Sequence, residues 1–122
     1  MDLYREEFME IYKNPMNEGK LEKPSIVEHG INEACGDEMD LYLQVEGDRV
    51  IDASFTAASC SVGIVASALL TDEIKGKKIS EIKNFSKEDL LKIIGVNLTT
   101  SRIKCATLPL ETLHKGLENY GK

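Results

Sequence analysis

Apolar residues recur at helical spacing near the start of the chain and at strand spacing further along. Between residues 3 and 13 they follow mixed three- and four-residue intervals, which predicts a short amphipathic helix. The Asn14-Pro15 pair ends this helix, because the residue before a proline disfavours the helical conformation. From Ser25 to Ala58 the interval changes to two, which predicts strands.

The alternating stretch contains three strand candidates bounded by turn-forming residues. They are SIVEHGINEA, EMDLYLQVEG and RVIDASFTAA. Gly47-Asp48 predicts a tight hairpin between the second and the third. In the second candidate one face carries Met39, Leu41, Leu43 and Val45, and the other carries Asp40, Tyr42, Gln44 and Glu46. We therefore expect an antiparallel sheet with one face in the core and one in water.

The chain becomes helical after Cys60. The stretch SVGIVASALLTDEIKGKKI is small and apolar, and Gly76 is a suitable stop for the helix. Ser86 and Asp89 predict a capping-box start for the helix KEDLLKIIG, which Gly95 ends.

A last helix is expected through RIKCATLPLETLHKGLENY, with Ser101 as its candidate cap. Pro109 is compatible with this helix in the first turn or at a kink. The predicted fold class is therefore α+β, with an N-terminal helix, a three-stranded antiparallel sheet and C-terminal helices packed on one face. At 122 residues the chain is expected to form a single domain, 1–122.

Charge and composition narrow the function classes. The formal net charge is −6 and no basic patch dominates, which argues against nucleic-acid binding. No run of about 18 apolar residues exists, so we expect no membrane span. The acidic amino terminus lacks the apolar segment of a signal peptide, so we expect a cytoplasmic protein with reduced thiols.

The three cysteines favour metal binding or thiol chemistry, because an odd number fits a disulfide framework poorly. Cys35 follows the first predicted strand, Cys60 follows the third, and Cys105 lies near the start of the last helix. In an antiparallel meander the ends of the first and third strands share one edge, so Cys35 and Cys60 are expected to meet. Across Gly36, Asp37 can point an oxygen at the same place.

If Cys105 docks over that edge, three thiolates and one carboxylate converge, a set that suits zinc, copper(I) or an iron–sulfur unit. A helix N-terminus, Lys104 and Arg102 would favour the thiolate form of Cys105. Cysteines are also common core residues and no CxxC pair is present, so the residues alone leave core packing open. A hydrolytic zinc enzyme is disfavoured, because His29 and His114 are the only histidines and neither lies in a ligand segment.

Several motifs, in order along nearly the whole chain, resemble the U-type iron–sulfur cluster assembly scaffolds, a family that comprises IscU, SufU and the amino-terminal domain of NifU. NPMNEG resembles the NPxNxG loop, ACGDEMDLYLQV the first ligand segment, FTAASCSVGIVASALLTDEIKGK the second-cysteine helix, and RIKCATL the third-cysteine segment. The chain departs from the pattern at Ala57 and Ser59, where the family usually has glycines. Lys104 stands where IscU proteins carry histidine, as in SufU proteins. SufU proteins also carry an insertion, whereas the 44 residues between Cys60 and Cys105 are close to the short IscU length.

The resemblance implies a scaffold that accepts sulfur from a cysteine desulfurase, binds iron and transfers a labile [2Fe–2S] cluster to apo iron–sulfur proteins. Cys35, Asp37, Cys60 and Cys105 would be the cluster and metal ligands, with Cys105 as the first persulfide acceptor. Zinc would bind the same residues when no cluster is present. The protein would then be a scaffold rather than an enzyme.

Two further points follow from the resemblance. The alternative function is a zinc-dependent sulfur shuttle, which activates a desulfurase without building a cluster. The segment LTTSR, residues 98–102, stands where IscU proteins have a leucine and two prolines. The resemblance therefore does not imply recognition by the dedicated Hsp70 chaperone.

Overall fold

The computed structural model describes residues 5–33, 36–95 and 100–120. The elements in chain order are α1 (Arg5–Lys13), β1 (Ile26–Asn32), β2 (Asp37–Glu46), β3 (Arg49–Ala58), α2 (Ser61–Ile74), α3 (Ile79–Lys83), α4 (Lys87–Ile94) and α5 (Thr100–Tyr120). The predicted α+β class is confirmed. Within these ranges no helix combines the length and the apolar character needed to cross a membrane.

The three strands form one antiparallel sheet in the order β1-β2-β3. Asn32 at the end of β1 pairs with Asp37 at the start of β2, and Glu38 pairs with Ala58 at the end of β3. These strand ends lie together at one end of the sheet, which we call the upper rim. The predicted hairpin lies at the opposite end of the sheet, between Glu46 and Arg49.

The two faces of the sheet differ, but less cleanly than the alternation predicts. Met39, Leu41 and Leu43 are buried on the inner face, as expected. Tyr42 was predicted to face water, and this is wrong, because the residue is only 6% exposed. The Tyr42 hydroxyl lies 3.5 Å from Thr56 Oγ1. Thr56 is two residues further along β3 than Ser54, which pairs directly with Tyr42, so the ring lies along the sheet instead of projecting into solvent.

Two helices cover the inner face of the sheet. The contacts of α5 are mainly with β1 and α2, and those of α2 are with α5 and β3. The residues that fill the space between sheet and helices are almost completely buried, and they include Phe55, Leu70, Ile74, Leu113 and Leu117. Burial of each such side chain stabilises the fold by about 1.5–3 kcal/mol.

Helix α5 approaches β1 closely because two glycines lie at the contact. A Cβ atom added at Gly30 would overlap Thr112 Oγ1 and lie 3.1 Å from Thr112 Cβ. At Gly116 an added Cβ would lie 3.2 Å from both Glu28 Cβ and Ile26 Cγ2. The helix therefore runs antiparallel to the strand, with its later residues against the start of β1.

Replacing Gly30 with alanine is expected to lower the free energy of unfolding by about 1–3 kcal/mol, the usual cost of overpacking. The added methyl would meet Thr112, which is buried and cannot retreat into solvent. Urea denaturation measures the change. In a Thr112→Ala background the same Gly30→Ala change should cost much less, and an equal cost in both backgrounds would contradict this contact.

The ends of α4 match the prediction. Ser86 Oγ accepts a hydrogen bond from the Asp89 N–H at 3.1 Å, and Asp89 Oδ2 accepts one from the Ser86 N–H at 3.0 Å. The hydrogen bond from the Ser86 backbone is the main cause that lowers the pKa of Asp89 below its usual value. Gly95 ends the helix in the left-handed conformation, at φ 70°.

The C-terminal half departs from the prediction in two places. The short helix α3 lies beyond Gly76, where no separate helix was expected. Pro109 is the tenth residue of α5, so of the two positions that the prediction allowed for it, the first turn is excluded. Helix α5 begins at Thr100, so Ser101 lies within it and its side chain is outside the described residues.

The NPMNEG segment pairs with the sheet. Asn17 adopts a left-handed conformation at φ 64°, its carbonyl accepts a hydrogen bond from the Phe55 N–H at 2.9 Å, and the Gly19 N–H donates to the Phe55 carbonyl at 2.7 Å. The side-chain amide of Asn17 also donates to Thr71 Oγ1 on α2 at 3.2 Å. Residues 14–19 therefore lie along the outer edge of β3 and connect it to α2.

Candidate metal centre

Asp37 is positioned by the turn between β1 and β2. Gly36 has φ +72°, a conformation that other residues rarely adopt, and its N–H donates to the Asn32 carbonyl at 2.9 Å. Asp37 then begins β2 on the same face as Met39, because side chains alternate along a strand. Its carboxylate is therefore carried on the inner face at the upper rim, and the residue is only 6% exposed.

Cys60 is positioned by the connection between β3 and α2. It lies two residues beyond Ala58, the last residue of β3, and is the N-cap of α2 with an extended backbone. Its carbonyl accepts the N–H of Ile64 at 3.1 Å, which is the first helical hydrogen bond. Cys60 is half-buried and its thiol forms no capping hydrogen bond to the helix. The side chain therefore does not cap the helix, and it lies at the upper rim.

Cys105 reaches the same rim through the packing of α5 on β1. Thr112 lies against Gly30, and Cys105 is seven residues earlier in the helix. Seven helical residues span about 10 Å, which equals about three residues of strand. Because α5 and β1 run in opposite directions, Cys105 falls at the end of β1. It is only 5% exposed.

The structure brings three of the four sequence-predicted ligands together. One ligand atom each from Asp37, Cys60 and Cys105 lies within 4.8 Å of the other two. In residues 5–33, 36–95 and 100–120, no other group of three or more His, Cys, Asp or Glu has such a geometry. Cys35, the fourth predicted ligand, lies outside the described residues, so its place remains a prediction.

The donor set fits a metal ion that prefers sulfur. Two thiolates and a carboxylate each carry negative charge when deprotonated, and the surroundings of Asp37 and Cys105 are buried. A cation is favoured at such a place because the low local dielectric strengthens its attraction to the donors. In tetrahedral zinc sites with Zn–S near 2.3 Å, neighbouring donors lie about 3.8 Å apart. The ligand atoms here lie within 4.8 Å of one another, so the distances between them would shorten by up to about 1 Å when an ion binds.

The predicted cationic neighbour of Cys105 faces solvent. Lys104 is exposed and lines a cleft of about 460 Å³ with Lys87, Glu33 and Glu111. Any effect of this lysine on the neighbouring thiol is therefore screened by water. The side chain of Arg102 is outside the described residues.

Neither histidine belongs to the candidate metal centre. His29 Nδ1 lies 2.8 Å from Asp40 Oδ1 on the outer face of the sheet, and the pair is exposed. His114 on α5 is half-buried, and its Nε2 lies 3.2 Å from the Ile82 carbonyl.

One residue at this site, Ser59, was seen in the sequence only as a departure from the glycine pattern. The Oγ atom of Ser59 is buried and has no hydrogen-bond partner among the described residues. The sequence shows that Ser59 directly precedes Cys60. It does not show that the hydroxyl is buried, because this depends on the close approach of the Ser59 side chain to Gly63.

Two curated relatives align with almost the whole chain. The zinc-dependent sulfurtransferase SufU of Bacillus subtilis is 35% identical over 132 residues, covering 94% of this chain and 89% of the relative. The iron–sulfur cluster assembly scaffold protein IscU of Aquifex aeolicus is 35% identical over 119 residues, covering 96% of this chain and 75% of the relative.

Solved structures share the fold. The chain superimposes with a TM-score of 0.78 on FiSufU of Fervidobacterium islandicum, assigned to iron–sulfur cluster assembly in the SUF system, at 28% identity over 93% of this chain and 96% of that one. A NifU-like N-terminal structure from Brucella abortus gives a TM-score of 0.80 at 16% identity, with 93% and 91% covered, and shows the fold alone.

The family assignment covers nearly all of the sequence. The family described as the NifU-like N terminal domain matches residues 3–122. With relatives named SufU and IscU at 35% identity and the same fold in solved structures, the chain belongs to the NifU-like N-terminal domain family, the family of the U-type scaffold proteins.

Proposed function

We propose that this protein is a scaffold for iron–sulfur cluster assembly, which accepts sulfur from a cysteine desulfurase, binds iron and passes a labile [2Fe–2S] cluster to apo-proteins. The observation that carries the proposal is the convergence of Asp37, Cys60 and Cys105 within 4.8 Å at the upper rim. The family assignment supports it, since relatives of 35% and 34% identity are named as IscU assembly proteins. The whole chain, 1–122, acts as one cytoplasmic domain.

Four residues hold the cargo in this proposal: Cys35, Asp37, Cys60 and Cys105. Iron and sulfide are substrates that the protein gathers and releases, and thiolates are the usual protein ligands of such units. Asp37 supplies a harder oxygen donor, which binds iron–sulfur units less firmly than sulfur does. The mixed set therefore keeps the cluster labile. Zinc at the same residues stabilises the fold when no cluster is present.

Sulfur arrives by thiol–persulfide exchange. The Cys105 thiolate attacks the outer sulfur of the desulfurase persulfide, the desulfurase cysteine leaves as its thiolate, and Cys105 becomes the persulfide. Cys60 is half-buried and Cys105 is only 5% exposed, so exposure alone favours Cys60 as the first acceptor. The two cysteines must therefore be distinguished by experiment. Mass spectrometry of the Cys60→Ala chain after brief exposure to the desulfurase should find the persulfide on Cys105.

A second function is favoured by one comparison. The Bacillus subtilis relative is named a zinc-dependent sulfurtransferase, and this chain shares 35% identity with it. In this alternative the chain binds zinc permanently, takes sulfur at one cysteine and activates the desulfurase without building a cluster. Lys104, the residue type found there in SufU proteins, also favours it.

Anaerobic incubation with ferrous iron, cysteine and a desulfurase separates the two functions. A scaffold should give a brown protein with visible sulfur-to-iron charge-transfer bands, and the colour should be absent from the Cys105→Ala chain. Activation of the desulfurase by the zinc-loaded chain without colour would instead support the shuttle. A chain that neither colours nor activates would contradict both.

A further inference from the structure

Ser59 carries a buried hydroxyl beside the candidate metal centre. Its Oγ atom is shielded from solvent, and none of the described residues offers it a hydrogen-bond partner. Leaving such a group unpaired destabilises a fold by about 1–3 kcal/mol. The presence of this hydroxyl directly before Cys60 therefore points to a hydrogen bond that forms in another state of the metal centre.

A backbone carbonyl on the element that carries Cys105 lies near this hydroxyl. A Cβ atom added at Gly63 would overlap Ser59 Oγ and lie 3.6 Å from the Cys105 carbonyl oxygen. The hydroxyl and the carbonyl thus border the same side of Gly63. Only the lack of a side chain at residue 63 lets the start of α2 and the first turns of α5 come this close.

Pro109 makes the Cys105 carbonyl suitable as an acceptor. In a regular helix this carbonyl would accept the N–H of the residue four positions later. That residue is Pro109, which has no N–H to donate. This particular helical hydrogen bond therefore cannot form, and a carbonyl oxygen has two lone pairs with which it can accept hydrogen bonds.

We propose that Ser59 is a positioning residue whose hydroxyl donates to the Cys105 carbonyl when a metal ion draws the Cys60 and Cys105 thiolates together. This inference rests on the proposed ligand set. An ion closes the donors by up to about 1 Å from their separation of at most 4.8 Å, which brings α2 and α5 together at the rim. The hydrogen bond then forms only in the loaded protein and links the second and third cysteine segments.

The test compares zinc affinity with metal-free stability in the full chain. Ser59→Ala should bind zinc about 3- to 10-fold more weakly in competition with a chromophoric chelator, the effect of losing one hydrogen bond. The metal-free Ser59→Ala chain should be as stable in urea as the wild type, or more so, because only an unpaired hydroxyl is lost. Ser61→Ala, on the other side of Cys60, is the matched control and should bind zinc as the wild type does.

A second variant tests the geometry independently. Gly63→Ala should weaken zinc binding by pushing the Ser59 side chain away, and Ser59→Gly added to it should remove the clash without restoring wild-type affinity. Equal zinc affinity of Ser59→Ala and wild type would overturn the inference, as would a loss of metal-free stability that accounts for the weaker binding. If the wild-type chain binds no zinc or iron, the proposed function fails instead, so the two failures are distinguishable.

Discussion

Replacing Cys60 or Cys105 with alanine is expected to weaken zinc binding by more than about 100-fold, since losing an outer partner of a ligand already costs 10–100-fold. Each cysteine supplies one donor of a group whose atoms lie within 4.8 Å, so removing either leaves an incomplete set. Metal analysis of the purified chains measures the effect directly. We expect about one zinc per wild-type chain and almost none in either variant.

Thermal unfolding gives a second measurement of the same variants. Zinc at 100 times its dissociation constant should stabilise the wild type by about 2.7 kcal/mol, and this stabilisation should vanish in Cys60→Ala and Cys105→Ala. Cys35→Ala extends the test to a residue that the structure does not describe. His29→Ala is the control, because His29 pairs with Asp40 on the outer face. Equal metal content in wild type and cysteine variants would remove the shared centre.

Replacing Asp37 with alanine is expected to give a longer-lived cluster that is transferred more slowly to an apo-ferredoxin. The carboxylate is the weaker donor of the set, so its loss removes the ligand through which iron is most readily released. We expect transfer to slow by on the order of tenfold, which corresponds to about 1.4 kcal/mol in activation free energy. Absorbance or circular dichroism in the visible range follows both decay and transfer.

Asp40→Ala is the matched control for this experiment. Asp40 lies three residues along the same strand, on the outer face of the sheet and paired with His29. Its replacement should leave cluster lifetime and transfer unchanged. Unchanged or faster transfer by Asp37→Ala would show that this carboxylate does not make the cluster labile.

Local sequence signals were sufficient for most elements. The period-two stretch and the Gly47-Asp48 turn correctly predicted three antiparallel strands, and the reciprocal Ser86 and Asp89 bonds formed as their spacing indicated. These features depend on residues close in sequence, so the pattern contains the information. The same holds for the upper rim, because an antiparallel meander fixes which strand ends meet.

Distant contacts override local preference at two residues, of which only Tyr42 was wrongly predicted. Pro109 is disfavoured inside an isolated helix, yet α5 continues through it, because its apolar side is buried against β1 and α2. Tyr42 follows the polar alternation but is buried, because its ring reaches across the sheet to Thr56. Neither contact leaves a periodic signal in the sequence.

The candidate centre was only partly predictable for the same reason. Sheet topology alone places Asp37 and Cys60 at one edge, but the arrival of Cys105 depends on the close approach of α5 to Gly30. The spacing of the cysteines does not encode that approach. The Ser59 hydroxyl, which has no hydrogen-bond partner among the described residues, could likewise not be predicted, since its burial depends on Gly63 and on the fold around it.

The pairing of residues 14–19 with Phe55 has a consequence for how the protein behaves at high concentration. An open strand edge is a template on which another chain can add a strand, and this is a common route to aggregation. Here the backbone of Asn17 and Gly19 occupies the hydrogen-bonding groups of Phe55 on that side of β3. A segment that precedes the sheet in sequence thus occupies the place of a further strand at Phe55, which disfavours the pairing of another chain at this position.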